Sequence, residues 1–290
     1  AQAARSSQRS SVSWSMGHGR LGREFLKTAV AFVAGGLAMA GWGTGSPSHA
    51  FIVQHSGMLG AATTTPAAST TTPAATTTTT PAAAARASRK IFFDIGSNRG
   101  DVLRIFFEKH APADSNAGGW RFGEENYNPS DFLVYGFEAN PEHWRGLVEL
   151  VARYSETALI VPLAVWNTSF QSMKLSIDDD TNGNSHNHWG ASLLNRWGNK
   201  AVNTMTIDFA SILSQLTTEN DTVYMKFNIE GAEYHVLKSL KEKGLLCRIR
   251  VGWFYFHPRF TGPSGPVVSH NEVKTWLEDC RTEIRLFAVH

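Results

Sequence analysis

The sequence predicts an α/β fold in which a mostly parallel sheet carries helices on both faces. From about Ser88 to the end of the chain, short apolar segments typical of strands alternate with segments of helical periodicity. Such alternation is typical of parallel sheets covered by helices. The first predicted strand is followed by a turn with two glycines, Gly96 and Gly100. Sheets of this kind bind their ligands beyond the carboxyl ends of the strands.

The predicted elements alternate regularly along the folded part of the chain. Each strand is a short run of apolar residues, and each helix shows a repeat of apolar residues at helical spacing. In chain order we predict strand Lys90–Phe93, helix Asp101–His110, strand Phe132–Phe137, a helix from Pro141, strand Leu159–Pro162, strand Thr222–Phe227, helix Ala232–Lys243, strand Arg248–Phe256, helix Asn271–Cys280 and strand Ile284–Val289.

The second predicted helix has a clear start. Asn140 is a favourable N-cap, and Pro141 is favourable at the first helical position. Helical spacing then predicts one buried face for the helix. That predicted face consists of Trp144, Leu147, Val148 and Val151.

Three segments of different composition precede the folded region. Residues 1–27 carry five basic residues and one acid, and residues 28–50 are uncharged and apolar mainly over Ala29–Trp42. This order predicts a signal peptide or a signal-anchor helix with its N-terminus in the cytosol. Residues 51–88 contain a tract of Ala, Thr, Ser and Pro, which predicts a disordered, O-glycosylated stalk before a domain over residues 89–290.

These segments predict a protein of the secretory pathway, either a single-pass Golgi membrane protein or a secreted one. A plastid transit region is the alternative interpretation. Because the chain begins at Ala1 and a predicted strand runs almost to His290, the sequence leaves both ends of the natural chain open.

Charge and cysteine content exclude some classes of function. The formal net charge of +2 gives no reason to expect a nucleic-acid partner. The two cysteines, Cys247 and Cys280, are not spaced as a metal site. We expect them to be buried free thiols, and a single bridge in an oxidising compartment is the alternative.

Acidic residues follow the first two predicted strands. Asp94 precedes Gly96, whose lack of a Cβ lets the backbone turn tightly beside a ligand. The sequence lacks the G-x-G-x-x-G fingerprint of NAD and FAD sites. Glu138 ends the second strand and suits the two hydroxyls of a ribose. It lies 42 residues after Gly96, where the usual interval is roughly 20, and we attribute the excess to a polar insertion over Ala111–Asp131.

Two more acids and a histidine follow later strands. Glu230 and Glu233 flank the turn from the fourth strand into a helix, so both can face the ligand cleft. His257 follows an aromatic strand, where burial could keep its imidazole neutral and able to act as a base. His186 and His188 lie in an acidic loop that could hold a divalent cation, although such loops are more often only solvated, so we predict no metal site.

Four motifs together resemble those of FkbM-type methyltransferases, in the same order along the chain. The resemblance covers about Lys90 to His257, and the last motif, usually K-x-D-x-E-G-A-E, is the most specific. The motifs are Asp94-Ile-Gly96-Ser-Asn98-Arg-Gly100, Phe137-Glu138-Ala-Asn-Pro141, Pro162-Leu-Ala164-Val165 and Lys226-Phe-Asn228-Ile-Glu230-Gly231-Ala232-Glu233.

The resemblance implies a class I methyltransferase (Rossmann-like) fold, S-adenosylmethionine as the methyl donor and transfer to oxygen. The implied acceptor is a carbohydrate or another small molecule, often through a sugar hydroxyl. The implied donor-binding residues are Asp94, Gly96, Asn98, Gly100, Glu138 and Ala164, and the implied catalytic residues are Glu230, Glu233 and His257.

The sequence departs from the family pattern in two places. Asn228 stands where the family usually has Asp, and Tyr255 stands where an acid is often found. A neutral residue at either position puts activity in doubt, so a non-catalytic scaffold that binds S-adenosylmethionine is an alternative hypothesis. A nicotinamide-dependent enzyme is another.

Overall fold

The computed structural model describes residues 87–110, 120–123, 126–177, 190–194, 200–261 and 266–290. The predicted signal segment, the stalk and the loop with His186 and His188 lie outside these residues. Within the described ranges, no helix is long and apolar enough to cross a membrane.

The described elements follow the predicted alternation, with a further group of strands between the third and fourth predicted ones. In chain order they are β1 (Lys90–Ile95), α1 (Asp101–Glu108), β2 (Phe132–Phe137), α2 (Pro141–Ala152), β3 (Ala158–Val161), β4 (Ala164–Trp166), β5 (Ser172–Ile177), β6 (Ala191–Ser192), β7 (Lys200–Asp208), α3 (Phe209–Leu216), β8 (Thr222–Phe227), α4 (Glu233–Glu242), β9 (Ile249–Phe256), α5 (His270–Asp279) and β10 (Glu283–Val289).

The main sheet has six strands in the order β10-β9-β8-β1-β2-β3. Every neighbouring pair in it is parallel. The strand order changes direction between β1 and β8, because β1 is followed in the chain by β2 on one side and lies against β8 on the other. In sheets of this kind a ligand binds in the crevice at that point, beyond the carboxyl ends of the strands.

Helices cover both faces of this sheet, as predicted. Successive side chains of a strand point to opposite faces, and β1 is buried on both. Phe92 packs in one cluster with residues of α1 and α2. Ile91, Phe93 and Ile95 pack in the other with residues of α3, α4 and α5. A strand buried on both faces fixes the position of the residues that follow it.

A second sheet, in the order β4-β7-β5-β6, was missed by the sequence analysis. Its pairs β5–β7 and β5–β6 are antiparallel. The sequence of β7, Lys200–Asp208, is polar and exposed in its first half and buried only toward its end. Strand prediction from apolar runs fails for such a segment, because three of its four buried residues, Thr204, Thr206 and Asp208, are polar.

The buried face of α2 differs from the predicted one. Val148 is 56 % exposed, whereas His143, Leu147, Leu150 and Val151 are buried. Val148 directly follows Leu147, and one residue turns the side chain by about 100° around a helix. The inclusion of Val148 in the buried face was therefore wrong.

Cys247 and Cys280 form a disulfide bond, so the expectation of two free thiols was wrong. Cys247 lies in the turn before β9, and Cys280 follows α5. The parallel pairing of β9 with β10 brings these two positions together. Their separation of 33 residues gives no such signal in the sequence, because the pairing depends on the sheet.

Candidate active site

The turn between β1 and α1 depends on glycine. Gly96 has φ +80, and a Cβ built on it would lie 1.9 Å from the backbone oxygen of Asn228. Gly100 has φ +87, and a Cβ there would lie 2.9 Å from carbons of both Leu147 and Leu150. Any other residue at either position would have to move its neighbours and accept a strained backbone. The glycines therefore hold the turn close to β8 and α2.

Asp94, the fifth residue of β1, is fully buried next to a lysine. Its register partner on β8 is Lys226, whose Nζ lies 3.2 Å from Oδ1 of Asp94. The same Nζ donates a hydrogen bond to the backbone oxygen of Gly96. Neither carboxylate oxygen of Asp94 accepts a hydrogen bond from the described part of the protein. Buried carboxylate oxygens usually have hydrogen-bond partners, so Asp94 has capacity left for a ligand.

Glu138 joins the loops that follow β1 and β2. Its two carboxylate oxygens accept hydrogen bonds from the backbone N–H groups of Asn98, at 2.6 Å, and Asn140, at 2.7 Å. Burial raises the pKa of Glu138, although these hydrogen bonds and nearby positive charges oppose the shift. A carboxylate oxygen can accept more than one hydrogen bond, so Glu138 can still accept from hydroxyl groups.

Glu230, Glu233 and His257 form one cluster at the ends of β8 and β9. His257 Nδ1 lies 3.0 Å from Oε1 of Glu233, within hydrogen-bond distance. His257 Nε2 lies 3.6 Å from Oε2 of Glu230. Glu233 is fully buried and accepts hydrogen bonds from the backbone N–H groups of Ile229 and Gly231, both at 2.8 Å. Glu233 is thus fixed by its neighbours, and it fixes the imidazole in turn.

The charges in this cluster affect one another. Burial raises the pKa of Glu230 to about 7, with a further rise from Glu233 and opposing effects of His257 and Lys226. Burial alone would lower the pKa of His257, but the hydrogen bond to Glu233 and the charges of both glutamates outweigh it, and the pKa is raised. The expectation that burial keeps His257 neutral was therefore wrong in direction. A raised pKa makes the imidazole a stronger proton acceptor.

The structure brings most of the predicted site residues together at one edge of the sheet. They form two groups, each held together by hydrogen bonds or ion pairs, which we call the two linked groups. The first consists of Asp94, Gly96, Asn98 and Glu138 around the first turn, and the second consists of Glu230, Glu233 and His257 at the ends of the fourth and fifth predicted strands. Ala164 follows the carboxyl end of β3; it is buried at the start of β4 and pairs with Thr206 of β7. Within the ranges the structure describes, no group of His, Cys, Asp and Glu is arranged to hold a metal ion.

The sequence analysis assigned no function to several residues that lie next to the site. Lys226 is the charge partner of Asp94, and its place opposite that acid follows from strand register. Ser192 donates a hydrogen bond at 2.8 Å to the backbone oxygen of Glu230. The ring of His290 stacks on that of His257 at 5.4 Å between centroids. Burial, and then the charge of Asp94, raise the pKa of Tyr255 to about 12, so its hydroxyl stays protonated.

The family model described as the methyltransferase FkbM domain matches residues 94–284, about two thirds of the chain. The matched range contains both linked groups of site residues. No curated protein and no solved structure matches the chain.

Proposed function

Because the chain belongs to the FkbM methyltransferase family, we propose that it transfers a methyl group from S-adenosylmethionine to a hydroxyl oxygen of a sugar or glycoconjugate. The observation that carries the proposal is the imidazole of His257, held at Nδ1 by Glu233 and placed beside Glu230. A sugar hydroxyl is a weak nucleophile, and a positioned base makes it reactive.

The first linked group of residues fits the proposed donor. Gly96 leaves backbone free of a side chain, and the buried oxygens of Asp94 and Asn228 lack hydrogen-bond partners within the described residues. We assign these oxygens to the ammonium group of S-adenosylmethionine and Glu138 to its ribose hydroxyls. When bound, S-adenosylmethionine supplies a methyl group already activated on a sulfonium. The protein then mainly has to orient the acceptor and exclude water.

The second linked group fits the acceptor. We assign His257 as the base, because Glu233 holds its Nδ1 and its Nε2 lies 3.6 Å from the carboxylate of Glu230. The proton of the acceptor hydroxyl moves to Nε2, and Glu233, which is hydrogen-bonded to Nδ1, stabilises the imidazolium. Glu233 is a positioning residue, since it is fully buried and its oxygens are already occupied by backbone N–H groups and His257.

We also propose that the protein works in the secretory pathway. The disulfide bond between Cys247 and Cys280 supports this, because such bonds form and persist in oxidising compartments and are rare in the cytosol. The basic and apolar segments of residues 1–50 support the same compartment and attachment to a membrane if they are not cleaved.

The test is incubation of the purified chain with labelled S-adenosylmethionine and a panel of glycans. We expect label transfer to at least one glycan, and we expect His257→Ala to reduce turnover by about 10²–10⁴-fold with donor affinity nearly unchanged. His110→Ala, at an exposed histidine on the described surface, is the matched control. Wild-type turnover in His257→Ala would refute the assignment of the base. Donor binding without transfer to any glycan would instead support the scaffold hypothesis.

A further inference from the structure

The loop after β4 carries an acceptor sequence for N-linked glycosylation that the proposed activity does not use. Asn167-Thr168-Ser169 matches the pattern Asn-x-Ser/Thr. We propose that Asn167 carries an N-linked glycan on the surface of the methyltransferase domain. Such short matches are common by chance, so the proposal depends on independent observations from the structure.

The first observation concerns the compartment. N-linked glycans are added in the secretory pathway, which is also where disulfide bonds form. The Cys247–Cys280 bond therefore supports the same compartment that N-linked glycosylation requires. The inference rests on the secretory compartment proposed above, but not on the methyl-transfer reaction.

The second observation concerns the surroundings of Asn167. Its side-chain amide makes no hydrogen bond to the described residues, and it borders an open groove of about 260 Å³. The groove is lined mainly by polar side chains of α4, among them His235, Lys238, Ser239 and Glu242. A sugar attached to Asn167 has room in this groove, and its hydroxyls find donors and acceptors there.

The third observation is that the fold does not depend on a free Asn167. The neighbouring Ser169 accepts a hydrogen bond from the backbone N–H of Asp208 at 2.9 Å, and Thr168 bonds to Gln171 at 3.0 Å. These two hydrogen bonds hold the loop in place, and the side chain of Asn167 takes part in neither of them. The chain can therefore fold with a glycan attached to that residue.

The modification is a group transfer from a lipid pyrophosphate-linked oligosaccharide, catalysed by the oligosaccharide-transferring enzyme of the compartment. A bond forms between Nδ2 of Asn167 and the first carbon of the sugar. The bond between that carbon and the pyrophosphate oxygen breaks, and the oxygen keeps the electron pair. The amide loses one proton, which in the overall reaction passes to the released lipid pyrophosphate.

The test is expression of the full chain in eukaryotic cells, followed by enzymatic release of N-glycans in heavy-oxygen water and peptide mass spectrometry. Release converts a glycosylated Asn into a labelled Asp. We expect the label at Asn167 in the wild type and no label at this position in Asn167→Gln. On a gel, Asn167→Gln should migrate faster than the wild type by the mass of one glycan. Asn220→Gln, at the chain's other acceptor sequence (Asn220-Asp221-Thr222), is the control and should keep the label at Asn167.

A chain that enters the secretory pathway, as shown by protease protection in microsomes, with an unlabelled Asn167 would overturn this inference alone. A chain that never enters and stays unlabelled would overturn both the inference and the compartment. Methyl transfer by Asn167→Gln should equal that of the wild type, so neither result is confused with failure of the proposed reaction.

Discussion

The burial of Glu230, which lies beside His257, predicts that the stability of the protein depends on pH. Glu230 is largely buried, with 18 % of its side chain exposed, and burial raises its pKa from the ordinary value of 4.5 to about 7. The folded protein therefore favours the protonated form of Glu230. Replacing Glu230 with Gln keeps the size of the side chain and removes the titration.

The size of the effect follows from linkage between protonation and folding. Between pH 4.5 and about 7 the folded state holds a proton on Glu230 that the unfolded state has lost. The stabilisation from this proton is complete below pH 4.5 and is lost as the pH rises through about 7. A shift of this size corresponds to about 3 kcal/mol, at about 1.4 kcal/mol per pKa unit.

The assay is urea unfolding of wild type and Glu230→Gln at pH 5 and pH 8. We expect the stability of the variant relative to wild type to rise by about 2.5 kcal/mol between these pH values, because Glu230 is not fully protonated in the unfolded state at pH 5. Glu149→Gln, at an exposed acid with 66 % of its side chain accessible, is the matched control and should show little change.

His257 titrates in both proteins, so the comparison is repeated in a His257→Asn background. The effect should persist or grow there, because the charge of His257 lowers the pKa of Glu230. A stability difference between wild type and Glu230→Gln that is independent of pH in both backgrounds would refute the buried, protonated state of Glu230.

Three further predictions concern the donor site and the disulfide. Gly96→Ala places a Cβ 1.9 Å from the backbone oxygen of Asn228 at a φ of +80. Calorimetric titration should therefore show donor binding that is weaker by at least about tenfold. Urea unfolding should show that the free energy of unfolding falls by about 1–3 kcal/mol. Glu138→Gln removes the charge that accepts two backbone hydrogen bonds, so donor affinity should fall by about 1.5–3 kcal/mol; unchanged affinity would exclude Glu138 from the ribose site. Replacing Cys247 and Cys280 with Ser opens a link across 33 residues and should lower the free energy of unfolding by about 4 kcal/mol on the chain-entropy account; equal urea midpoints would contradict it.

The sequence predicted those features that depend on local pattern. β1 contains the apolar run Ile91–Phe93, so the strand, the acid near its end and the glycine turn could be recognised together. The same holds for β2 and Glu138, because Asn140 and Pro141 mark the start of the next helix. Positions at the carboxyl ends of parallel strands converge in space, and this rule sufficed to bring Asp94 and Glu138 to one edge.

Features that depend on contacts between distant segments could not be predicted in the same way. Ser192 supports Glu230 from a strand of two residues, too short to carry a periodic pattern. Cys247 and Cys280 meet only because β9 and β10 pair. The raised pKa of His257 depends on Glu233, which reaches it from another element. In each case the chemistry of one residue is determined by a neighbour far away in the sequence.

The same dependence on neighbours bears on Asn228, one of the two positions where the chain departs from the family pattern. The base that we propose, His257, is positioned by Glu233, so the proposed reaction does not need an acid at position 228 to remove the proton. Burial raises the pKa of Glu138 and of Glu230, and we expect burial to make a carboxylate at position 228 harder to ionise as well. The neutral amide keeps an oxygen that can accept a hydrogen bond and adds no charge. We therefore interpret Asn228 as an adaptation to the charges around it and not as the loss of a catalytic base.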